Sequence, residues 1–566
     1  MWGSCLCAGE VSVQRSPGAA HPPGSTASTP RREPCHHGPP SRAVARPSPL
    51  PPGVPLAFLG KAESVAGPGY SKWLIPPAAL AVHLSIGQVY AFSVFKSSLV
   101  HHFGSSQTAV AWVFSIAIVV LGLSAAAFGT WVERNGPRRA MFVAALCWAT
   151  GFVVGSFGIS TGQLWLLYLG YGVIGGIGLG FGYISPVSTL MKWFPDRPGL
   201  ATGMAIMGFG GGALLASPLS NRLLSAFDPA YSPTTPGSFA SGHALSSTFL
   251  TLGAGYLVLM MVGVALMRLP QGFGDDDAAH HVPATNGVLV RAGTAIRTPQ
   301  FWLLWVVLFT NVTAGIGILE QAAPMIQDFF RTEGGSSTVT AAAAGGFVGL
   351  LSLANMGGRF VWSTTSDHIG RRATYTMYLG VGLAAFALLA LFGGTSPVVF
   401  VALAALIISF YGGGFATVPA YLKDLFGTLE VGAIHGRLLT AWAAAGVAGP
   451  LIVNSVLDRA GEPGTMTASD YRPALFTMVG VLAVGFVANL LVRPVAERHA
   501  DEVAGPRHGE RTAAEQAGAA AGGPVDAGAR TTTSPLLVAV AWALVVLPLA
   551  YGLWFTVEKA SKLFLG

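Results

Sequence analysis

Runs of about 20 apolar residues recur along the chain, and each can cross a hydrocarbon core of about 30 Å at about 1.5 Å of helix rise per residue. About twelve such runs are present, with one more near the C-terminus. Just over half of the 566 residues are hydrophobic and only 10% are charged, which excludes a soluble globular chain of this length. The expected fold is therefore all-α and polytopic. The 74 glycines fit that class, because in lipid helices associate by close backbone approach at small residues. Gly172, Gly176 and Gly180 stand four residues apart on one helix face.

The predicted spans cover 73–96, 108–132, 138–158, 163–187, 198–223 and 247–268, then 300–328, 339–364, 374–394, 397–421, 434–457 and 471–493. Residues 1–70 are rich in Pro, Gly, Ser and Arg without apolar periodicity, and the expectation is a disordered tail. Two six-helix halves, 71–268 and 300–493, follow, joined by a cytoplasmic linker at 269–299 that holds Asp275, Asp276 and Asp277. A polar Ala/Gly-rich linker, 494–533, leads to an additional helix in 534–566. That helix packs against the bundle as an accessory element, is a fused copy of a small subunit, or simply anchors the chain.

The net charge of +7 raises nucleic acid as a partner, so the placement of the basic residues matters. Arg134, Arg138 and Arg139 follow the second span, Lys192 and Arg197 the fourth, Arg291 and Arg297 the sixth, and Arg371 and Arg372 the eighth. The alternate loops are poorer in positive charge. This is the positive-inside pattern, and it predicts a multi-pass protein of the inner (plasma) membrane with a cytoplasmic N-terminus and no nucleic-acid partner. Three of the four cysteines (Cys5, Cys7, Cys35) lie in the tail and Cys147 in a span, so neither a disulfide framework nor a zinc spacing is present. Gly176-x-Gly178-x-Gly180-x-Gly182 lies inside an apolar span with no preceding strand, and reads as helix packing rather than as a nucleotide loop. No Walker loop, zinc-protease motif or nucleophile elbow is found, so no cofactor, no metal and no enzymatic activity are expected.

An internal repeat is the strongest single signal. Gly129-Thr-Trp-Val-Glu133-Arg134-Asn-Gly136-Pro-Arg138-Arg139 recurs as Ser363-Thr-Thr-Ser-Asp367-His368-Ile-Gly370-Arg371-Arg372, with Glu133 and Asp367 aligned, as are Gly136 and Gly370. Pro186, Gly199 and Gly203 recur in nearly the same register as Pro419, Gly432 and Gly436. An even number of spans separates the copies, so the halves have the same sense in the membrane. Glycine permits a tight turn, while the acid and the arginines make charge-assisted contacts between helix ends that can latch one conformation. These loops resemble the G-x-x-x-D-R-x-G-R-R signature of the major facilitator superfamily, with Glu133, Pro137, Ser363 and His368 as departures.

Two longer stretches, His83 to Phe95 and Tyr411 to Trp442, together with Asn355-Met-Gly-Gly-Arg359, resemble the oxalate/formate antiporter family over about 73–493. Arg359 sits eight residues before Asp367, about 12 Å inward along the helix, where a cation needs a polar cavity or a partner. Its planar fork suits a carboxylate, and Asn355 at i−4 shares its face. The resemblance implies that this arginine binds an anionic substrate. The family's oxalate exchanger also carries a lysine in the eleventh span, whereas here that helix runs Trp442-Ala-Ala-Ala-Gly without a basic residue. One cation favours a monocarboxylate such as formate, lactate or pyruvate over a dicarboxylate.

His83 and Tyr90 lie seven residues apart on one face, and His83 is open to two roles, proton carrier or hydrogen-bonded packing residue. Tyr90, Tyr183, Tyr411 and Trp442 either line an anion cavity with hydroxyl and indole donors or simply pack. Glu320 reads as an interface residue, and Lys423 and Asp424 as loop charges. The function implied is secondary active transport of a small organic anion by alternating access, with protons or a counter-anion as the coupled species, in a monomer within the bilayer. A membrane sensor that binds an anion without moving it is the alternative.

Overall fold

A membrane-spanning backbone must satisfy its polar groups within its own segment, and this chain does so as helices. The computed structural model describes residues 57–232, 238–271, 273, 289–331, 337–339, 341–460, 466–496, 499 and 533–565. The first 56 residues and most of both expected linkers lie outside the described residues.

The first span is Ile75–Ile86, a 3-10 stretch Gly87–Ala91 and Ser93–Phe103. Spans two to six are Gln107–Asn135, Pro137–Ser160, Leu164–Trp193, Pro198–Phe227 and Gly242–Leu266. Spans seven to ten are Pro299–Phe329, Ala341–Ile369, Arg371–Phe392 and Pro397–Phe426. The eleventh is Val431–Leu438 continued by Thr440–Ala460, the twelfth Ala468–Leu491 and the thirteenth Pro535–Leu565. Twelve segments, the thirteenth among them, are long and apolar enough to cross a membrane, and the eighth has the length as well at 29 residues. Large apolar side chains such as Trp165, Trp302, Leu451 and Trp554 stand on the outside, as lipid contact requires.

Most spans run further than the hydropathy predicts, and the first is not one continuous helix. It tightens at Gly87, where a Cβ would lie 2.5 Å from the Phe209 carbonyl oxygen of the fifth span. Only glycine allows that crossing, and the helix shortens its turns to make it.

The repeat in sequence is a repeat in packing. The third span packs on the sixth as the ninth does on the twelfth, the second on the fourth as the eighth on the tenth, and the first on the fifth as the seventh on the eleventh. The halves meet along two seams: the second span against the eleventh, and the fifth against the eighth.

Within the 1–70 stretch, residues 57–70 are described and folded. Short 3-10 turns at Ala57–Leu59 and Ala62–Ser64 bury Leu59, and the Ala66 amide donates to the Leu269 carbonyl at 2.8 Å. Arg138 holds this segment, donating to the carbonyls of Phe58, Glu63 and Met267. A composition low in apolar residues hides this, because a single buried leucine and three carbonyls on one guanidinium are enough to fix a short segment.

The thirteenth helix lies across the seam of the fifth and eighth spans. Val545 and Leu549 pack on Leu80, Ala81 and Leu84 of the first span, with Met207 and Met356 alongside. Trp542 Nε1 donates to the Trp73 carbonyl at 3.0 Å, and the Arg222 guanidinium stacks 4.9 Å from the Tyr551 ring centre. A Cβ on Gly552 would lie 2.6 Å from the Leu214 carbonyl oxygen. Gly552→Leu is therefore expected to push the helix off the fifth span and to cost about 1–3 kcal/mol, as overpacking does. Thermal unfolding in detergent checks this, and an unchanged midpoint would mean that the contact carries no stability.

Candidate functional site

Arg359 is fully buried in the eighth span, on the seam with the fifth. Its Nε donates to Asn355 Oδ1 at 2.9 Å, one helical turn back, and Nη1 reaches the Ile206 carbonyl of the fifth span at 3.4 Å. Nη2 has no partner among the described residues. The guanidinium carbon lies 5.8 Å from the Phe209 ring centre and 5.3 Å from that of Phe415, so the cation sits between one aromatic ring from each half. Gly210 makes the room: a Cβ there would stand 2.9 Å from Arg359 Nε.

Four of the predicted aromatic residues join those two rings. Trp442 packs on Phe415 at 4.7 Å and on Phe209 at 5.5 Å, Tyr183 on Trp442 at 5.6 Å, Tyr90 on Phe209 at 5.1 Å and Tyr411 on Phe415 at 5.4 Å. The Tyr90 and Tyr411 hydroxyls, one from each half, stand 3.4 Å apart. The guanidinium faces the hydroxyls of Tyr90 and Tyr183. Tyr183 Oη and Trp442 Nε1 are buried and, like Arg359 Nη2, lack a hydrogen-bond partner among the described residues. The structure thus gathers Arg359, Asn355, Tyr90, Tyr183, Tyr411 and Trp442 into one box built by the first, fourth, fifth, eighth, tenth and eleventh spans.

Burying a guanidinium costs several kcal/mol or more, and two neutral acceptors with two ring faces offset only part of it. An unpaired buried donor leaves about 1–3 kcal/mol unmet. A carboxylate is the acceptor whose geometry matches, since it takes two parallel bonds from a planar fork. No cluster of three or more His, Cys, Asp or Glu suited to a metal ion occurs among the described residues.

His83 lies beside the box rather than in it. Its Nδ1 meets the Ala205 carbonyl of the fifth span, and its Nε2 the Tyr183 carbonyl of the fourth at 3.2 Å, so the ring ties three spans of one half together. Glu320 is near Asn454 Nδ2 at 3.4 Å. Lys423 and Asp424 differ from the loop charges expected of them. Lys423 is buried and donates to the Pro195 carbonyl, and Asp424 accepts from Arg371 Nε at 3.0 Å. The tenth span runs on to Phe426, five residues past the predicted end, and carries Lys423 inside while Asp424 stays partly exposed at its rim.

The repeated loops, expected as latches, make contacts of matching design across the two seams. Gly136 and Gly370 both adopt a positive φ, 86° and 85°, which joins one span to the next in a turn that L side chains rarely adopt. Asp367 accepts from the Gly199 and Leu200 amides at 2.8 Å each, capping the N-terminus of the fifth span in the other half. Arg371 pairs with Asp367 at 2.5 Å and with Asp424 at 3.0 Å. On the other seam Glu133 bonds Lys192 at 2.7 Å and Ser188 at 2.5 Å and reaches the backbone of Gly432, at the start of the eleventh span. Pro137 stands at the turn where Arg371 stands in the second copy, and Lys192 supplies the cation instead. The remaining arginines of the motif do not cross between the halves: Arg138 clamps the segment before the first span, Arg139 donates to Asn135 at 2.9 Å, Arg372 donates to the Leu490 carbonyl, and Arg134 is exposed.

Sequence reasoning missed Phe209, Phe415 and His435. The two phenylalanines each sit in a glycine run, Gly208-Phe-Gly-Gly-Gly212 and Gly412-Gly-Gly-Phe415, which is the one signal that could have marked them as rings at a close helix crossing.

Comparison with known proteins places this geometry. The solved transporter FucP of the major facilitator superfamily, in its outward conformation, superposes with a TM-score of 0.56 over 75% of this chain and 100% of its own, at 15% identity. The oxalate:formate antiporter of Oxalobacter formigenes is 27% identical over 372 residues, 66% of this chain and 81% of its own. The apicoplast pyruvate carrier 1 of Toxoplasma gondii is 25% identical over 413 residues, covering 65% and 73%. Residues 78–450 match the Major Facilitator Superfamily as a family. With two six-helix halves, paired latch loops and that match over most of its length, the chain belongs to the Major Facilitator Superfamily and is a multi-span membrane transporter, not an enzyme.

Proposed function

We propose that this transporter carries a small monocarboxylate by alternating access, with Arg359 as the carboxylate anchor. One observation carries the reading: a fully buried guanidinium on the seam between the halves whose Nη2 lacks a protein acceptor. Tyr183 Oη and Trp442 Nε1 add further donors from the fourth and eleventh spans, so an anion here is held by both halves at once. Arg359 is the one permanent cation among the box residues, and the eleventh span carries no basic residue from Leu438 to Asn454 that could balance the second charge of a dicarboxylate. The likeness to an oxalate:formate antiporter and a pyruvate carrier supports carboxylate chemistry.

Both latches lie on the side of the basic loops and cross the seams, so the halves are closed on that side. By the charge pattern that side is cytoplasmic, in a plasma or inner membrane. Switching parts the latches and opens the box to the cytoplasm.

Uptake of labelled formate, lactate, pyruvate and oxalate into proteoliposomes tests the reading, with a counter-anion inside or absent. Saturable uptake of a monocarboxylate with oxalate excluded is expected. A requirement for internal anion identifies exchange, and uptake without it identifies symport. Folded protein that moves none of these anions would remove the carboxylate reading.

A further inference from the structure

His435 is fully buried on the helix Val431–Leu438, and neither ring nitrogen has a hydrogen-bond partner among the described residues. A buried imidazole normally satisfies at least one nitrogen. Its position explains what such a ring can do. Gly432, where Glu133 latches the eleventh span, lies three residues earlier, and Trp442 of the aromatic box lies seven residues later. At about 1.5 Å per residue His435 stands about 4.5 Å inside the latch and about 10 Å along the helix from Trp442.

The ring faces Tyr183 of the other half, with centroids 5.8 Å apart, and Tyr183 in turn packs on His83 at 5.5 Å. Apart from Arg437, the charged and titratable groups around it are otherwise engaged. Glu133 of the second span holds Lys192, Ser188 and the Gly432 backbone, Lys423 of the tenth holds the Pro195 carbonyl, and Asp424 holds Arg371. Glu430, just before the helix, accepts from the Ala292 amide, and Arg437, two residues on and half-buried, has an Nη1 without a partner among the described residues. His83 lies on the far side of Tyr183, with both of its ring nitrogens on backbone carbonyls.

We propose that His435 makes the alternation of this transporter pH-sensitive, holding the halves apart on the latch side when it carries a proton. With the latches closed, an imidazolium at this fully buried position has no acceptor among the described residues, and the protein must keep the ring neutral. With the halves parted, water solvates the ring and it titrates near its ordinary value of about 6.5. The proton therefore binds the open form better than the closed one, and acid on the latch side favours opening. The proton comes from that side and returns to it. The inference rests on alternating access but not on the identity of the anion.

Linkage sets the size of the effect. Below about pH 6.5 the closed-to-open ratio falls about tenfold per pH unit, and above it the ratio is flat. Carboxylates in water titrate near 4, below the range from pH 7.5 to 5.5 in which the response is read.

The test uses the full chain with its four native cysteines replaced and spin labels at Arg139→Cys and His368→Cys, two exposed positions on opposite halves at the latch side. Distances are measured in reconstituted protein at pH 7.5, 6.5 and 5.5 without any anion. The short, closed distance is expected to give way to a long one as pH falls. His435→Gln and His435→Phe should hold the closed distance at every pH, while His83→Gln should keep the wild-type response. The closed distance at pH 7.5 also reports that each variant is folded. The same pH response in both His435 variants as in wild type, or no response in wild type, would overturn the proposal. A single distance in wild type at every pH, with or without anion, would overturn alternating access as well. Failure of anion uptake alone would sink the substrate assignment and leave this result standing.

Discussion

Replacing Arg359 with methionine is expected to abolish carboxylate uptake while leaving the protein folded. Methionine fills much of the space between Phe209 and Phe415 and removes the buried charge, a change that is often neutral or stabilising for a fold. What it cannot replace is the fork. Two charge-assisted bonds at about 1.5–3 kcal/mol each amount to at least about a 100-fold loss of anion affinity. Arg359→Lys separates charge from geometry. An ammonium keeps the charge but cannot bond Asn355 and a carboxylate in one plane while stacking on two rings, so a loss of about tenfold is expected. The Km for labelled anion in proteoliposomes, beside the elution profile and thermal midpoint of each variant, reads both effects. Wild-type Km in the methionine variant would show that the anion binds elsewhere.

The second large effect falls on the conformational equilibrium. Asp367→Asn removes the charge from the cap of the fifth span, leaves one oxygen for the two amides of Gly199 and Leu200, and strips Arg371 of one of its two carboxylate partners. A loss of about 2–3 kcal/mol from the closed arrangement moves its population against the open one by on the order of 100-fold. A cysteine at Ser363, buried where the eighth span crosses the fifth, reports this as faster reaction with a water-soluble thiol reagent applied from the latch side. Glu133→Gln should act in the same direction but less strongly, because Lys192 and Ser188 bind that carboxylate within its own half. Equal reactivity in wild type and Asp367→Asn would mean that the cap does not hold the seam.

Arg359 was legible in the sequence because a charge inside a long apolar run stands out against its surroundings, and Asn355 because four residues on a helix define a face. The latch acids were legible because the same short string occurs twice. Phe209 and Phe415 were not, since an aromatic residue in an apolar span is unmarked until another helix brings a cation to it. His435 escaped for a related reason. A histidine near a span end reads as an interface residue, and its lack of any partner exists only once the second half has closed over it. Lys423 shows the converse, a residue assigned to a loop that the longer tenth helix buries.

Hydrophobic run length and the internal repeat determined by themselves that this chain forms two related six-helix halves with a thirteenth helix, because length against bilayer thickness and the position of charges are properties of consecutive residues. Tertiary structure alone decided which helix faces meet. It set Arg359 between rings from opposite halves, aimed each latch acid at a helix N-terminus in the other half and laid the thirteenth helix over the seam of the fifth and eighth spans. Those contacts join residues hundreds of positions apart, and close packing at glycine, not any local pattern, selects them.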